Sequence, residues 1–335
     1  MAAQSTISIV HLGGSLTVLD MIDRAFRIYR RNFLTFFTVM AIVYVPVALV
    51  SIPASIYSAQ QPLGTAATSL QSLSLLVGYI SSALQYAIAY PLVVTTASEN
   101  LLGNKLTVSE AFQKTRSRFG TVAITYILFG IISIVLLLIS YVLVFVLIGL
   151  VALVMVGYFA TATNFLLVQV ATLEEVGPMR AINRAWHLSK QRFWRGLSLT
   201  SLLSLMVIVT FISVYSVSLY LIIPIYVLQS TTSITLIALQ VVLQSVTSLL
   251  VTPLLFIAFT VFYYDARVRL EGLDIAYYLS RHDLPRPNQV PTPKAVGRFF
   301  NGQDVLNILG ILGGFAGLVA ATFGIVFAVA TVFSL

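Results

Sequence analysis

DRAFRIYRRNF (23–33) sets four arginines and an aspartate in eleven positions, and from residue 32 to residue 98 no charged residue follows. Only 9% of the 335 residues are charged, 59% are hydrophobic and the mean hydropathy is +0.97. Soluble globular domains do not have that composition. Three more charge-free runs follow, 119–173, 196–264 and 305–335. A membrane-crossing helix takes about 20 apolar residues. The first three runs each hold two crossings and a turn, the fourth holds one, and the expectation is an all-α integral membrane protein of about seven transmembrane helices. SAQQPLGTAATS (58–69) and LQSTTS (228–233) mark two of the turns, and SY (140–141) is the best break in the run 119–173.

Paired crossings return the chain to the side it left, so every charged segment falls on one face. All 19 basic residues lie in four segments, before 32 and in 99–118, 174–195 and 265–304, and all 11 acids lie there too. The positive-inside rule puts that face in the cytoplasm. The expectation is a multi-pass protein of the cell membrane, its N-terminus cytoplasmic and its C-terminus on the opposite side. The net charge of +8 then serves topology and attraction to anionic headgroups, not nucleic acid. The first apolar run, from near Phe33, is too long for the core of a cleavable leader.

On a helix, Leu19, Ile22, Phe26, Tyr29 and Phe33 share one face, and Asp20, Arg24, Arg27 and Arg31 share another. That pattern suits an amphipathic helix in the interface plane, with Arg24, Arg27 and Arg31 at headgroup level. A shift of 160 gives Met179, Ile182, Trp186, Ser189 and Phe193 against Arg180, Arg184, His187 and Gln191, with Pro178 in the first turn. Arg180 and Arg184 are read as headgroup contacts in turn. A weaker copy lies at a shift of 86. The three align on Ala25, Ala111 and Ala185, each followed by an aromatic residue, by Arg30, Arg116 or Lys190 five positions on, and by Phe33, Phe119 or Phe193 eight on. The reading is three repeats of interfacial helix plus transmembrane hairpin, about 16–99, 106–175 and 178–265, within a six-helix domain, 1–281. Chance re-use of aromatic and basic residues at membrane entry is the alternative.

Each repeat ends in acid: Glu99, Glu174 with Glu175, and Asp265. A carboxylate at a helix C-terminus meets the negative end of the dipole. Pairing with the basic stripe, including Arg30, Arg116 and Lys190, is expected to fix geometry, as surface pairs of about 0–1 kcal/mol each. After Asp265, ARVRLEGLDIAYYLSRH reads as a separate short amphipathic helix. A Pro-rich cytoplasmic linker, 282–303, follows. The last segment, 304–335, is a Gly-rich crossing in which Gly310, Gly313, Gly314 and Gly317 form two GxxxG spacings. Small residues let helices approach closely in lipid, so this helix is read as a docking element, against its own bundle or a membrane-protein partner.

Catalytic chemistry is hard to place. There is no cysteine, and His11, His187 and His282 have no metal-ligand spacing. No phosphate loop or serine elbow is present. Neither an enzyme nor a cofactor is expected. Gln240 and Gln244, one helical turn apart, either bond between helices or line a polar path.

LTVLDMIDRAFRIYRRNFLTFF, MRAINRAWHLSKQRFWRGLSL and FYYDARVRLEGLD (262–274) together resemble the glycerophosphodiester phosphodiesterase membrane-domain-like family. The resemblance covers about 15–280 and implies the membrane module without the catalytic domain, so it carries no site residues. Two functions remain open: a non-catalytic scaffold, anchor or accessory subunit of a membrane complex, or a facilitator of lipid or amphipathic-molecule transport.

Overall fold

The computed structural model describes residues 16–59, 78–146, 149–228, 234–274 and 299–333. Among them the chain is helical and has no strand. Helix α1 (Val18–Arg31) leads into α2 (Phe33–Ala59), and α3 covers 78–101. Next come α4 (Val108–Thr115), α5 (Phe119–Leu143), α6 (Gly149–Leu173), α7 (Pro178–Lys190), α8 (Phe193–Leu228), α9 (Ile234–Glu271) and α10 (Gly302–Phe333). Six of the described helices are long and apolar enough to cross a membrane. The other expected crossing corresponds to α3, which widens into a π turn over Gln85–Ala89. Pro91 follows, without an amide to return to Ala87, so the ladder loosens just before it.

The short helices α1, α4 and α7 each precede a pair of long ones. Thr17 and Asp20 close a reciprocal capping box on α1, and Thr107 with Glu110 does so on α4. Helix α7 starts instead from Gly177 and Pro178. The aligned alanines Ala25, Ala111 and Ala185 are all fully buried. A methyl group at that position lets each short helix lie close to the long helices beside it.

Helix α9 is the hub. It packs against α1, α2, α3, α6 and α8, while α6 packs chiefly on α5 and α7. Pro253 lies inside α9, and in the preceding turn Leu250 O accepts the Tyr29 hydroxyl at 2.8 Å. Residues 261–268 are all buried, which fits the two turns of α9 where the neighbours converge.

Three expectations change here. SY (140–141) does not break the run; α5 continues to Leu143, a single 3-10 turn follows over Val144–Val146, and α6 begins at Gly149. Gly149 makes this turn possible, since a Cβ there would collide with the backbone of Leu143 and Val144. The segment after Asp265 first continues α9, which runs on to Glu271 and ends before Gly272 at φ 63°; helix starts again at 273–274, and the rest of the segment lies outside the described residues. On α1 the buried face is Met21, Ala25 and Ile28, whereas Leu19, Phe26 and Phe33 are exposed. Two apolar faces, one toward protein and one outward, hid behind a single 3–4 spacing. The Pro-rich linker lies mostly outside the described residues, and the last helix begins at Gly302.

Candidate functional site

The charged segments meet at one end of the bundle. Glu99, Glu174 and Asp265 are buried, and each is taken by cations. Lys114 of α4 pairs with Glu99, and Asn104 donates to its other oxygen at 2.8 Å. Arg184 of α7 donates to Glu174 at 3.0 Å. Asp265 receives Arg269 at 2.8 Å and Arg195 at 3.6 Å. It also acts on Arg24 of α1, whose guanidinium is lowered first by burial and then by Arg27, against the pull of Asp20, Asp265 and Asp23. The acid closing one repeat thus faces a cation of the next short helix, and the third faces back to the first. Glu175 is exposed and pairs with Arg118 at 3.4 Å.

FYYDARVRLEGLD supplies the end of α9 and addresses its neighbours from three faces. Tyr263, Arg267 and Glu271 form one stripe. Tyr263 donates to Glu174 at 3.0 Å and accepts from Arg267 at 3.0 Å, Arg267 donates to Glu271 at 2.9 Å, and Glu271 pairs with Arg184. Two carboxylates and two guanidiniums balance, which is what burial demands. Asp265 and Arg269 form the second stripe. Tyr264, on the third face, shares a 2.6 Å hydrogen bond with Ser98 of α3.

The root of α10 makes a second cluster. Lys190, fully enclosed, donates to Asp304 at 3.1 Å and to Phe299 O at 3.0 Å. Tyr158 donates to the other Asp304 oxygen at 2.7 Å, and Asn307 donates to the Tyr158 hydroxyl at 3.0 Å. Trp186 donates to Phe299 O at 3.0 Å, and its indole packs against both the Phe299 and Phe300 rings, which also touch each other. Asn301 and Asp304 exchange backbone–side-chain bonds, a cap on α10.

Several expected roles move. Arg184 is buried between Glu174 and Glu271 and is not a headgroup contact. Arg27, Arg31 and Arg180 are exposed, Arg27 beside Asp23 at 2.8 Å. Lys190 serves Asp304 and not a terminal acid. Arg30 and Arg116 are exposed and form no ion pair among the described residues. The pairs at Glu174 and Asp265 are buried structural pairs, not solvated surface ones. Arg195, Arg267, Arg269, Glu271, Tyr158, Asp304 and Asn307 were not singled out from sequence. The i,i+4 spacing of Tyr263, Arg267 and Glu271 was the available signal.

Of the four glycines, Gly310 packs in cis, where a Cβ would lie 2.5 Å from the Trp194 ring. Among the described residues, Gly313, Gly314 and Gly317 have nothing within 4 Å of a Cβ. Gln244 is exposed, and the Gln240 side chain lies outside the described residues. The polar lining in the bilayer region is elsewhere. A mainly apolar groove of about 540 Å³, walled by Phe129, Phe165 and Phe259, carries the polar side chains of Ser133, Thr161, Asn164 and Thr200 beside Tyr86 and Tyr126, with Asn164 and Thr161 exposed in it. The Tyr86 and Tyr126 rings stack at 3.7 Å, and beside them the Tyr44 and Tyr90 hydroxyls donate to Gln85 at 3.1 and 2.9 Å. Among the described residues no three His, Asp or Glu side chains are grouped to hold a metal ion.

Compared with known proteins, the chain matches no family model, no curated protein and no solved structure.

Proposed function

We propose that this multi-pass membrane protein is a non-catalytic scaffold, anchor or accessory subunit of a membrane complex, with α10 as the element offered to its partner. One observation carries the reading. Helix α10 is fastened at its root by Lys190, Tyr158 and Asn307, yet beyond Gly310 its Gly313, Gly314 and Gly317 stay uncovered, beside Phe315 and Phe323 at 66% and 72% exposure. Small residues on a lipid-facing helix allow a second helix to approach closely. The charged end faces the cytoplasm in this reading, and its exposed arginines meet anionic headgroups. The resemblance to the glycerophosphodiester phosphodiesterase membrane-domain-like family belongs to the same proposal, as a module whose FYYDARVRLEGLD segment is a clasp and not a reaction centre.

The test is native electrophoresis of gently extracted membranes from cells expressing the chain or its Gly314→Leu/Gly317→Leu variant. The wild type is expected in a complex larger than itself, and the variant in a smaller one with the same unfolding temperature. An unchanged complex overturns the assignment of α10.

The groove favours the second reading, a path for lipid or another amphipathic molecule. Asn164 precedes Glu174 by ten residues, about 15 Å along a helix, near the middle of a roughly 30 Å hydrocarbon layer. An exposed amide there invites a polar group of a ligand. A liposome flux assay that Asn164→Leu slows would support transport, and equal flux with and without protein would remove it.

A further inference from the structure

We infer that the groove between the first turn of α8 and the root of α10 binds the phosphate of an anionic membrane phospholipid. The groove holds about 450 Å³ and is lined by Arg192, Arg195, Trp194 and Leu270 with Gln303 and Asn307 of α10. Charge balance around it leaves a surplus. Lys190 is neutralised by Asp304. Asp265, wholly buried, is shared by Arg195 and Arg269. Arg192 has no acid partner among the described ion pairs. It is half-buried, and burial first, then Arg195, lowers its guanidinium, with Asp265 opposing and Arg269 adding to the repulsion. Arginine stays protonated regardless, so crowding of this kind is relieved by an anion. The positive end of the long α8 dipole adds to the same field.

Position selects the anion. Arg195 is the last charge before the charge-free run 196–264, so the groove sits where charged chain gives way to bilayer. Trp194, 46% exposed, and Leu270 supply an apolar rim, and tryptophan favours that interface. Guanidiniums beside amides, next to an apolar wall, suit a phosphodiester carrying acyl chains better than a free phosphate. The inference rests on the membrane reading above but not on the role given to α10.

The experiment is native mass spectrometry of the full chain in mild detergent, titrated with phosphatidylglycerol or phosphatidylcholine. Wild type is expected to retain phosphatidylglycerol preferentially. Arg192→Gln should weaken retention roughly tenfold, as for loss of one charged hydrogen bond. Arg192→Lys should keep most of it, and Arg180→Gln, an exposed arginine in diffuse contact with headgroups, should weaken it far less than Arg192→Gln does. Equal losses in Arg192→Gln and Arg180→Gln overturn the site in favour of diffuse attraction. Displacement of the lipid by millimolar inorganic phosphate overturns the lipid as occupant. Should Arg192→Gln fail to fold, photoactivatable phosphatidylglycerol on the wild type decides: crosslinks in 190–196 support the groove, and crosslinks only elsewhere overturn it. The topology reading fails separately. The chain has no cysteine, so a single cysteine at Ser117 labelled from outside the cell would reverse the orientation while leaving lipid retention as measured.

Discussion

Helices α1 and α7 carry nearly the same pattern 160 residues apart and come to opposite ends. On α1, Phe26 and Arg30 are exposed; on α7, the aligned Trp186 and Lys190 are buried. The shared feature is the inner face, with Ala25 and Ala185 both inaccessible. The outer face differs because one segment, Phe299 to Asn307, lies on α7: Phe299 O takes both Trp186 and Lys190, and Asp304 takes the ammonium. An amphipathic pattern therefore fixes that a helix has an outward face. What covers that face is decided by chain more than a hundred residues away.

The largest expected break in this comparison is charge removal. Asp304→Asn strips Lys190 of its buried counter-charge and should cost about 3–5 kcal/mol. Arg30→Met, at the exposed counterpart of Lys190, should stay within about 0.5 kcal/mol. Thermal unfolding in detergent of the two variants reads the difference, and equal shifts would refute the burial contrast. Next comes size: Trp186→Ala should cost about 3–5 kcal/mol as a core truncation, with Phe26→Ala within about 1 kcal/mol, read in the same assay. Third is coupling. A double-mutant cycle of Lys190→Met with Asp304→Asn should show an interaction of about 1–3 kcal/mol, and a cycle of Arg30→Met with Asp304→Asn should show none.

The smallest effect is acid sensitivity. His187 on α7 is half-buried, and its imidazole is lowered below the ordinary value by burial first, then by Lys190 and Arg184, with Asp304 opposing. A folded value below the unfolded one means the unfolded chain binds more protons. Stability is thus whole above about 6.5 and is lost as the pH falls below it. Its counterpart on α1 is Arg27. His187→Gln should flatten the unfolding temperature between pH 7 and pH 5, and Arg27→Gln should leave the slope as it was.

Much of the fold was legible because bilayer physics writes it in large letters. Charge-free runs separate helices such as α8 and α9 from the charged end, and the acids at 99, 174 and 265 announced the need for cations. Their partners were not legible, since Lys114, Arg184 and Arg195 differ from unused neighbours such as Arg116 and Arg180 only in where packing points them. The turn at Gly149 escaped notice because a glycine needed for close backbone approach looks like any other glycine in an apolar run. The two-sided burial of α1 escaped because outward apolar residues beside a membrane obey the same periodicity as core residues.

The contact between Tyr29 and Leu250 joins residues 221 positions apart. A ribosome adding about 5–20 residues per second takes roughly 10–45 s to travel that interval. Helix α1 is the first described element made and among the last to find its seat, because α9 must be built before it can receive Tyr29. During that interval α1 has the membrane surface and its smaller contacts with α2, α3 and α8 to rest on. Its exposed Leu19 and Phe26 and its outward arginines suit it to wait there, so the face left bare in the finished protein has work to do while the rest of the chain is still being made.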